Sequence, residues 1–188
     1  MVKIIGLTGT IGSGKEAVKE IIMHNYSCYY STLSALIRTE ALEKRKIKVD
    51  RNNLQNLGNE LRKQYGNDVL VKLAWNFLQK NKEFIIIDGI RNPGEVDFLK
   101  KVSEFYLIAV DAPVEIRFER LAKRGGPKDV KTMEEFVQLN ERDLGINEPD
   151  YGQRVKDCMN IADFTVLNDG SRKDLEGKVL EVMKQVKG

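Results

Sequence analysis

The stretch Gly9-Thr10-Ile11-Gly12-Ser13-Gly14-Lys15 decides the fold of this chain. It follows an apolar, β-branched run that predicts a strand over 2–8, and the residues after it predict a helix over 15–25. The glycines allow successive backbone N–H groups to converge on one point, and the helix adds the positive end of its dipole. Together with the Lys15 ammonium, this strand–loop–helix unit is typical of a loop that binds a polyphosphate.

The loop and the start of the following helix form the predicted donor site. The residues expected to surround the phosphates are Gly9, Thr10, Ile11, Gly12, Ser13, Gly14, Lys15, Glu16 and Ala17. Loops of this type usually carry Ser or Thr after the lysine, because a neutral hydroxyl completes the oxygen shell of Mg²⁺. A carboxylate at Glu16 binds Mg²⁺ but adds negative charge beside the phosphates. Either Glu16 takes the metal directly, or it turns away and other groups hold the ion.

The composition predicts one compact domain over 1–188. The 188 residues are 41% hydrophobic, and the net charge of +3 comes from interspersed charges, so nothing indicates a nucleic-acid or membrane partner. No apolar run reaches membrane-spanning length and the chain starts with a strand, so we expect a cytoplasmic protein. Cys28, Cys158 and the only histidine, His24, lack metal-ligand spacing. We expect both cysteines to be ordinary buried or half-buried thiols.

Strand patterns alternate with helical patterns along the chain, which predicts an α/β fold with a five-stranded parallel sheet and helices on both faces. The predicted strands are 2–8, 27–31, 83–88, 104–110 and 163–167. The predicted helices are 15–25, 33–45, 52–65, 67–81, 93–101, 113–124, 132–143, 151–160 and 171–186. The least sheet-like regions are a helical insertion over 32–80 and a segment over 125–150 that contains Gly125-Gly126-Pro127. Both are expected moving parts in an enzyme that handles two anionic substrates.

A second candidate site element is the run Ile85-Ile86-Ile87-Asp88-Gly89-Ile90-Arg91. Because ligands bind at the carboxyl ends of parallel strands, we expect Asp88 to face the phosphate loop and to hold Mg²⁺ directly or through water. Arg91 then offers its planar guanidinium to a substrate phosphate. The alternative is that Asp88 caps the next turn and that Arg91 is solvated.

Three arginines fall at i, i+3 and i+7 on the helix that Pro113 begins, namely Arg117, Arg120 and Arg124. We expect them to share one face that looks across the mouth of the crevice, while Phe118, Leu121 and Ala122 pack inward. Arg142, beyond the glycine-rich segment, is a candidate for closing over the same phosphates. Phosphoryl transfer needs such cations because its transition state spreads charge over peripheral oxygens. The alternative is a solvated basic helix face.

Over essentially its whole length, the chain resembles the nucleoside monophosphate kinase group of P-loop kinases, which includes adenylate kinase and dephospho-CoA kinase. Adenylate kinases follow the second strand with a Ser-Thr pair and an arginine that holds the acceptor phosphate. In this chain Ser31-Thr32, Ser34 and Arg38 occupy that arrangement. The resemblance therefore implies that Arg38 holds the acceptor phosphate and that Ser34 belongs to the same substrate site. The element Asp88-Gly89-Ile90-Arg91 is similar to the family's Asp-Gly-Phe-Pro-Arg element but is one residue shorter.

The lid and the adenine site follow from the same resemblance. Arg120 and Arg124 are similar to the arginine pair that enters the lid, and Arg142 is similar to an arginine on its return limb. The segment 162–171 resembles the dephospho-CoA kinase segment whose turn contacts adenine, which implies that Asn168 and Gly170 help to bind ATP.

The sequence is most similar to the deoxynucleoside monophosphate kinase-like branch. This likeness rests on Gln55-Asn56-Leu57-Gly58, Glu60-Leu61-Arg62, Tyr65-Gly66 and Asp88-Gly89-Ile90-Arg91 followed by Glu95. It implies an acceptor site that includes Arg62, Asp88 and Arg91. It also implies a kinase, monomeric or homodimeric, that uses ATP and Mg²⁺ to phosphorylate a nucleoside or deoxynucleoside monophosphate. The implied catalytic residues are Lys15, Arg91, Arg120, Arg124 and Arg142.

Two other functions remain open from the sequence. Glu16 departs from the usual loop, and similar modules are joined to nucleotide deaminases, so one alternative is a regulatory module that binds nucleotides without phosphoryl transfer. The other alternative is phosphorylation of another small alcohol, such as dephospho-CoA.

Overall fold

The computed structural model describes residues 2–79, 81–124 and 132–188 of the chain. In these residues a sheet of five parallel strands has the order β2-β3-β1-β4-β5. The strands are β1 (Lys3–Gly9), β2 (Cys28–Thr32), β3 (Phe84–Asp88), β4 (Glu104–Asp111) and β5 (Phe164–Leu167). The predicted five-stranded parallel sheet is confirmed, and each strand lies within one residue of its predicted bounds.

Helices cover both faces of the sheet. In chain order the described α-helices are α1 (Lys15–Asn25), α2 (Leu33–Thr39), α3 (Arg51–Tyr65), α4 (Val69–Trp75), α5 (Pro93–Val102), α6 (Val114–Arg124), α7 (Met133–Leu144), α8 (Val155–Asn160) and α9 (Arg172–Lys187). None of these helices combines the length and the hydrophobicity that a membrane-spanning segment needs.

Strand residues alternate between two hydrophobic cores, because successive side chains of a strand point to opposite faces. Ile85 and Ile87 pack with residues of α2–α5 and α8, whereas Ile86 packs with residues of α1 and α9. The apolar run of β3 is therefore buried on both faces, as expected for a central parallel strand. A third, smaller core joins the phosphate loop to α6 and α7 through Ile11, Leu121 and Phe136.

Three predicted helices differ from the observed ones. The pattern over 67–81 gives only α4, because Asn67 and Asp68 form a turn and the helix ends at Trp75. The pattern over 151–160 gives only α8, because the Asn92 side chain bonds to the carbonyls of Asp150 and Gly152 and holds that segment as a turn. The predicted helix 33–45 is α2 followed by a π-helical turn over Glu40–Lys44.

Both cysteines are free thiols, with Cys28 half-buried and Cys158 buried. Burial, helped by the charge of Glu83, raises the pKa of Cys28 to about 11, and burial raises the pKa of Cys158 as well. Because the thiolate is the reactive form, these raised pKa values keep both side chains as thiols at neutral pH. The expectation of ordinary buried or half-buried thiols is confirmed.

Candidate active site

The candidate site lies at the edge of the sheet where the parallel strands end. The chain leaves β1 at Gly9 to enter the phosphate loop, leaves β3 at Asp88 and leaves β5 just before Asn168. A cavity of about 320 Å³ opens at this edge. It is lined by Ile11, Gly12, Gly14, Lys15, Glu16, Asp88, Arg91, Arg120, Leu121 and Asp143. The sheet therefore brings the loop, the β3 carboxylate and two of the predicted arginines to one place.

Two glycines of the loop have backbones that only glycine tolerates well. Gly12 and Gly14 have φ angles of 77° and 95°, a region that L-residues rarely adopt. A Cβ on Gly12 would lie 2.7 Å from the carbonyl oxygen of Arg117, and a Cβ on Gly14 would collide with the Asn168 amide. Gly14 precedes α1, which has no side-chain cap, so the positive end of the helix faces the cavity. This backbone is shaped for an anion.

The Lys15 ammonium rests on the loop that precedes it. Nζ donates hydrogen bonds to the carbonyl oxygens of Gly9 at 2.7 Å and Thr10 at 2.9 Å. These bonds hold a positive charge against the wall of the cavity, where it is directed at the space enclosed by the loop.

Asp88 is a suitable ligand for Mg²⁺. Its Oδ2 accepts a hydrogen bond from the Tyr30 hydroxyl at 3.1 Å, while its Oδ1 is buried and has no hydrogen-bond partner among the described residues. Burial, then the Asp88 charge, raises the pKa of Tyr30, so its hydroxyl stays a donor at neutral pH. A buried carboxylate oxygen without a donor beside a phosphate loop suits a cation that is otherwise held by phosphates and water.

Glu16 forms an ion pair with Lys19, one turn further along α1. Its side chain is 66% exposed, and Lys19 also lies 5.0 Å from the centre of the Tyr30 ring. The carboxylate at the position of the usual hydroxyl is thus partly neutralised and turned toward solvent. Of the two alternatives for Glu16, this geometry favours the one in which other groups hold the metal.

A second cavity, of about 430 Å³, lies beside the first on the side of β5 and α9. Its lining residues are Gly14, Glu16, Ala17, Glu20, Arg120, Asn168, Gly170, Arg172 and Leu175. Arg120 lines both cavities and donates to the Ser13 carbonyl at 3.2 Å and to Asn168 Oδ1 at 3.2 Å. Asn168 in turn donates to the Ser13 carbonyl at 2.8 Å. The predicted adenine-side residues Asn168 and Gly170 thus lie next to the loop.

Three of the predicted acceptor residues lie in the segments that follow β2 and β3. Arg91 lines the first cavity and lies 3.5 Å from the Asp143 carboxylate. Ser34 is the second residue of α2 and shares a hydrogen bond of 2.9 Å with Thr32, which pairs with Asp88 across the sheet. Arg38, on α2, is exposed and makes no hydrogen bond or ion pair with another described side chain. All three belong to the loops and helices that follow β2 and β3.

Two of the predicted site arginines bind other side chains and do not line the first cavity. Arg62 is buried, and its guanidinium donates two hydrogen bonds to Glu95 at 3.1 and 2.8 Å. Arg142 points away from the first cavity and pairs with Glu148 and Asn56. The side chain of Arg124 and the first residues of the predicted lid, 125–131, lie outside the described part of the chain.

The arginine stripe predicted on α6 is wrong at Arg117. This side chain is only 4% exposed and donates to the Ala112 carbonyl and to Asn140 Oδ1, at 2.9 and 2.7 Å. Ala122, predicted to face inward, is exposed. The reason is that α7 and the loop cover the Arg117 side of α6, so the guanidinium serves as an internal donor and not as a surface cation.

Sequence reasoning missed three residues beside the cavity. Tyr30 and Lys19 contact the two candidate metal ligands, and Asp143 replaces Arg142 as the α7 residue that lines the cavity. A helical period predicts the position of Asp143, because it lies seven residues after the buried Phe136. Lys19 is found by its i, i+3 spacing from Glu16. No pattern in the sequence of β2 marks Tyr30 as a residue of the site.

The fold and the site define a P-loop protein of the kinase-like α/β class. Comparison with solved structures agrees on the fold. A protein from Thermus thermophilus, TT1252, superposes with a TM-score of 0.66 at 21% identity, over 100% of this chain and 99% of its own. Shikimate kinase from Acinetobacter baumannii, solved with shikimate, superposes with a TM-score of 0.56 at 17% identity, over 98% of this chain and 94% of its own.

Comparison of sequences gives the family. A family model described as an AAA domain matches residues 5–143. A UPF0200 protein of Methanocaldococcus jannaschii is 30% identical over 97% of this chain and 90% of its own length. A UPF0200 protein of Methanococcus maripaludis is 29% identical over 98% of this chain and 97% of its own length. The chain therefore belongs to the AAA domain family and to the UPF0200 proteins.

Proposed function

We propose that this protein transfers the γ-phosphoryl group of ATP to a nucleoside or deoxynucleoside monophosphate, acting in the cytoplasm as a monomer or homodimer. One observation carries the proposal: a single cavity joins Lys15 of the phosphate loop to Asp88 and Arg91, which follow the neighbouring strand. Donor-side and acceptor-side groups thus face the same space, as an in-line transfer between two anionic substrates requires.

On the donor side, the loop backbone and Lys15 bind the β- and γ-phosphates, and the second cavity takes the adenine. Arg120 lines both cavities, so it neutralises charge where the triphosphate passes from one to the other. Mg²⁺, when bound, supplies charge neutralisation at the phosphates. Asp88 is its proposed protein ligand. The described residues contain no group of three or more His, Cys, Asp or Glu side chains arranged for a metal, which suits an ion held mainly by phosphates and water.

On the acceptor side, Arg91 binds the monophosphate from within the cavity, and Arg38 and Ser34 bind it from α2. The helical insertion over 32–80 forms the acceptor site, and from the predicted lid over 125–150 the helix α7 adds Asp143 to the wall of the cavity. Since the acceptor's own phosphate oxygen is the nucleophile, the reaction needs positioning and charge neutralisation and no general base.

The proposal is tested by a coupled ADP-release screen over all ribo- and deoxyribonucleoside monophosphates. A binding screen by calorimetry runs beside it with the same compounds. Turnover with at least one monophosphate supports the kinase. Tight binding of mono- and triphosphates without any turnover contradicts it and supports a regulatory nucleotide-binding module.

A small alcohol is the second candidate acceptor, because the cavity holds two carboxylates that each have one buried oxygen. Asp88 Oδ1 and Asp143 Oδ1 both lack a hydrogen-bond partner among the described residues. Unlike a phosphate, an alcohol must lose its proton as it attacks, so it needs such a group nearby. The same screen therefore includes dephospho-CoA and shikimate as alcohol acceptors, and turnover with these alone favours this second candidate.

Replacing Arg91 by alanine is expected to weaken the acceptor step far more than ATP binding. Loss of one charge-assisted contact to the acceptor phosphate should cost about 2 kcal/mol in kcat/KM. Arg38→Ala should act in the same direction. Steady-state kinetics with varied acceptor, and ATP affinity by calorimetry, measure the two effects. Lys101→Ala, which changes an exposed cation on α5, is the control. If either substitution chiefly weakens ATP binding, the substituted arginine belongs to the donor site and not to the acceptor site.

Substitutions at Asp88 and Glu16 are expected to separate the two candidate metal ligands. Asp88→Asn should raise the Mg²⁺ concentration for half-maximal turnover by about 10- to 100-fold. Glu16→Gln should change it by less than about fivefold, because an exposed ion pair is worth up to about 1 kcal/mol. A Mg²⁺ titration of turnover at fixed ATP makes the comparison. A larger effect at Glu16 than at Asp88 would make Glu16 the metal ligand.

A further inference from the structure

The backbone of Arg91 is held from two sides. Its N–H donates to Glu95 Oε2 at 2.8 Å, and its carbonyl accepts from the Arg154 N–H at 2.6 Å. Glu95 is itself fully buried and bound by Arg62. The Cα of Arg91 is therefore fixed relative to the sheet, and only its side-chain torsions remain to be determined.

The Arg91 guanidinium forms an ion pair with Asp143. Nε of Arg91 lies 3.5 Å from Oδ1 of Asp143, a side chain that is 4% exposed and whose Oδ1 has no hydrogen-bond partner among the described residues. A carboxylate on the Nε side leaves the two Nη groups for another anion. A Cβ built on Gly89 would lie 3.2 Å from Arg91 Nη1 and 3.8 Å from Thr32 Oγ1, so Nη1 and the Thr32 hydroxyl lie by the same glycine. Nη1 thus lies on the side of β2 and α2.

The position of Asp143 is set by contacts of α7 with the phosphate loop. Phe136, two turns earlier on the same face of α7, packs against Ile11 of the loop. Arg117 connects the same parts, because its Nη1 donates to the Ile11 carbonyl at 3.3 Å and to Asn140 Oδ1 at 2.7 Å. The helix that carries Asp143 is therefore docked on the donor loop, while Arg91 belongs to the acceptor side.

We infer that Asp143 is a positioning residue that aims the Arg91 guanidinium at the phosphate of the acceptor and couples its orientation to the donor loop through α7. The identity of that phosphate rests on the proposed function, but the orientation of Arg91 by Asp143 does not. The two parts therefore have separate tests.

The first test uses no substrate. In ¹⁵N-labelled protein, the Nε–H signal of Arg91 is assigned by its loss in Arg91→Lys. In the wild type this proton should exchange with solvent more slowly than that of the exposed Arg38. In Asp143→Asn it should shift and exchange faster, while in Glu141→Gln, the matched change at an exposed carboxylate of α7, it should stay as in the wild type. A wild-type Arg91 proton that exchanges as fast as that of Arg38 overturns the inference, even if Asp143→Asn fails to fold.

The second test uses the acceptor identified by turnover. Asp143→Asn should lower kcat/KM for the acceptor on the order of 10- to 100-fold, as expected for a displaced positioning contact, with ATP affinity and melting temperature as in Glu141→Gln. Adding Asp143→Asn to Arg91→Ala should cause little further loss, because Asp143 acts through Arg91. Tighter acceptor binding in Asp143→Asn overturns the inference, since it would make Asp143 a competitor of the phosphate. If no acceptor turns over, the proposed function fails and the Nε–H measurement alone decides the role of Asp143.

Discussion

Lys15→Met is expected to lower the rate of phosphoryl transfer on the order of 10²- to 10³-fold and to weaken ATP binding at least tenfold. The ammonium is the loop's only side-chain cation among residues 9–15, and it is held toward the cavity by the carbonyls of Gly9 and Thr10. Without it, the developing charge on the transferring group loses a charge-assisted contact, and the loss of one such donor costs on the order of 10²- to 10³-fold in kcat. Turnover in the ADP-release assay and ATP affinity by calorimetry measure both effects.

The control for Lys15→Met is Lys19→Met on the same helix. Lys19 pairs with Glu16 and contacts the Tyr30 ring, and it does not line either cavity. Its loss should leave ATP affinity within about fivefold, as expected for an ion pair whose carboxylate is exposed. Circular dichroism of both variants should match the wild type. Unaltered ATP affinity in a folded Lys15→Met protein would contradict the donor site.

The sheet was predictable because each of its signals is local. A run such as Ile85-Ile86-Ile87 cannot be placed at the surface without exposing three large apolar side chains, so it specifies a strand covered on both faces. The phosphate loop is equally local, since its glycines, its lysine and the following helix are consecutive in the chain. Because β1 and β3 pair in parallel, the loop after β1 and Asp88 at the end of β3 lie at the same edge of the sheet. This placement does not depend on how the helices pack.

The arginines were less predictable because their roles depend on partners that are distant in the chain. Arg62 and Arg117 have the same charge as Arg91 and Arg120, yet the first two are buried against Glu95 and against Ala112 and Asn140. No local pattern tells a buried structural guanidinium from one that faces a cavity. The helical spacing alone placed Arg117 in the stripe. That spacing carries no information about α7, which covers Arg117 and begins 16 residues further along the chain.

Arg62 and Glu95 link α3 to the loop that carries Arg91. The two side chains are 2% and 0% exposed, and Glu95 also accepts the backbone N–H groups of Arg91 and Asn92 at 2.8 and 3.2 Å. Asn92 and Glu95 form a capping box at the start of α5, so the same carboxylate ends the loop and begins the helix. A single buried carboxylate thus accepts four hydrogen bonds from three residues.

Glu95→Ala is expected to lower the free energy of unfolding by about 3–5 kcal/mol, because it leaves the Arg62 charge buried without a counter-ion. The two backbone N–H groups also lose their acceptor, which adds to the loss. Urea unfolding at pH 7, followed by circular dichroism, measures the change. In the same variant, kcat/KM for the acceptor should fall, since the backbone of Arg91 is no longer held.

Glu60→Ala is the matched control, because it removes a carboxylate of α3 that pairs with Arg45 at 2.7 Å but is 55% exposed. Its cost should stay below about 1 kcal/mol, as for surface ion pairs in general. The double variant Arg62→Leu with Glu95→Leu should be less destabilised than the sum of the two single variants, since it removes both buried charges together and leaves only the two N–H groups unpaired. If Glu95→Ala is as mild as Glu60→Ala, water reaches the Arg62 guanidinium, and the loop that carries Arg91 is not held by a buried charge.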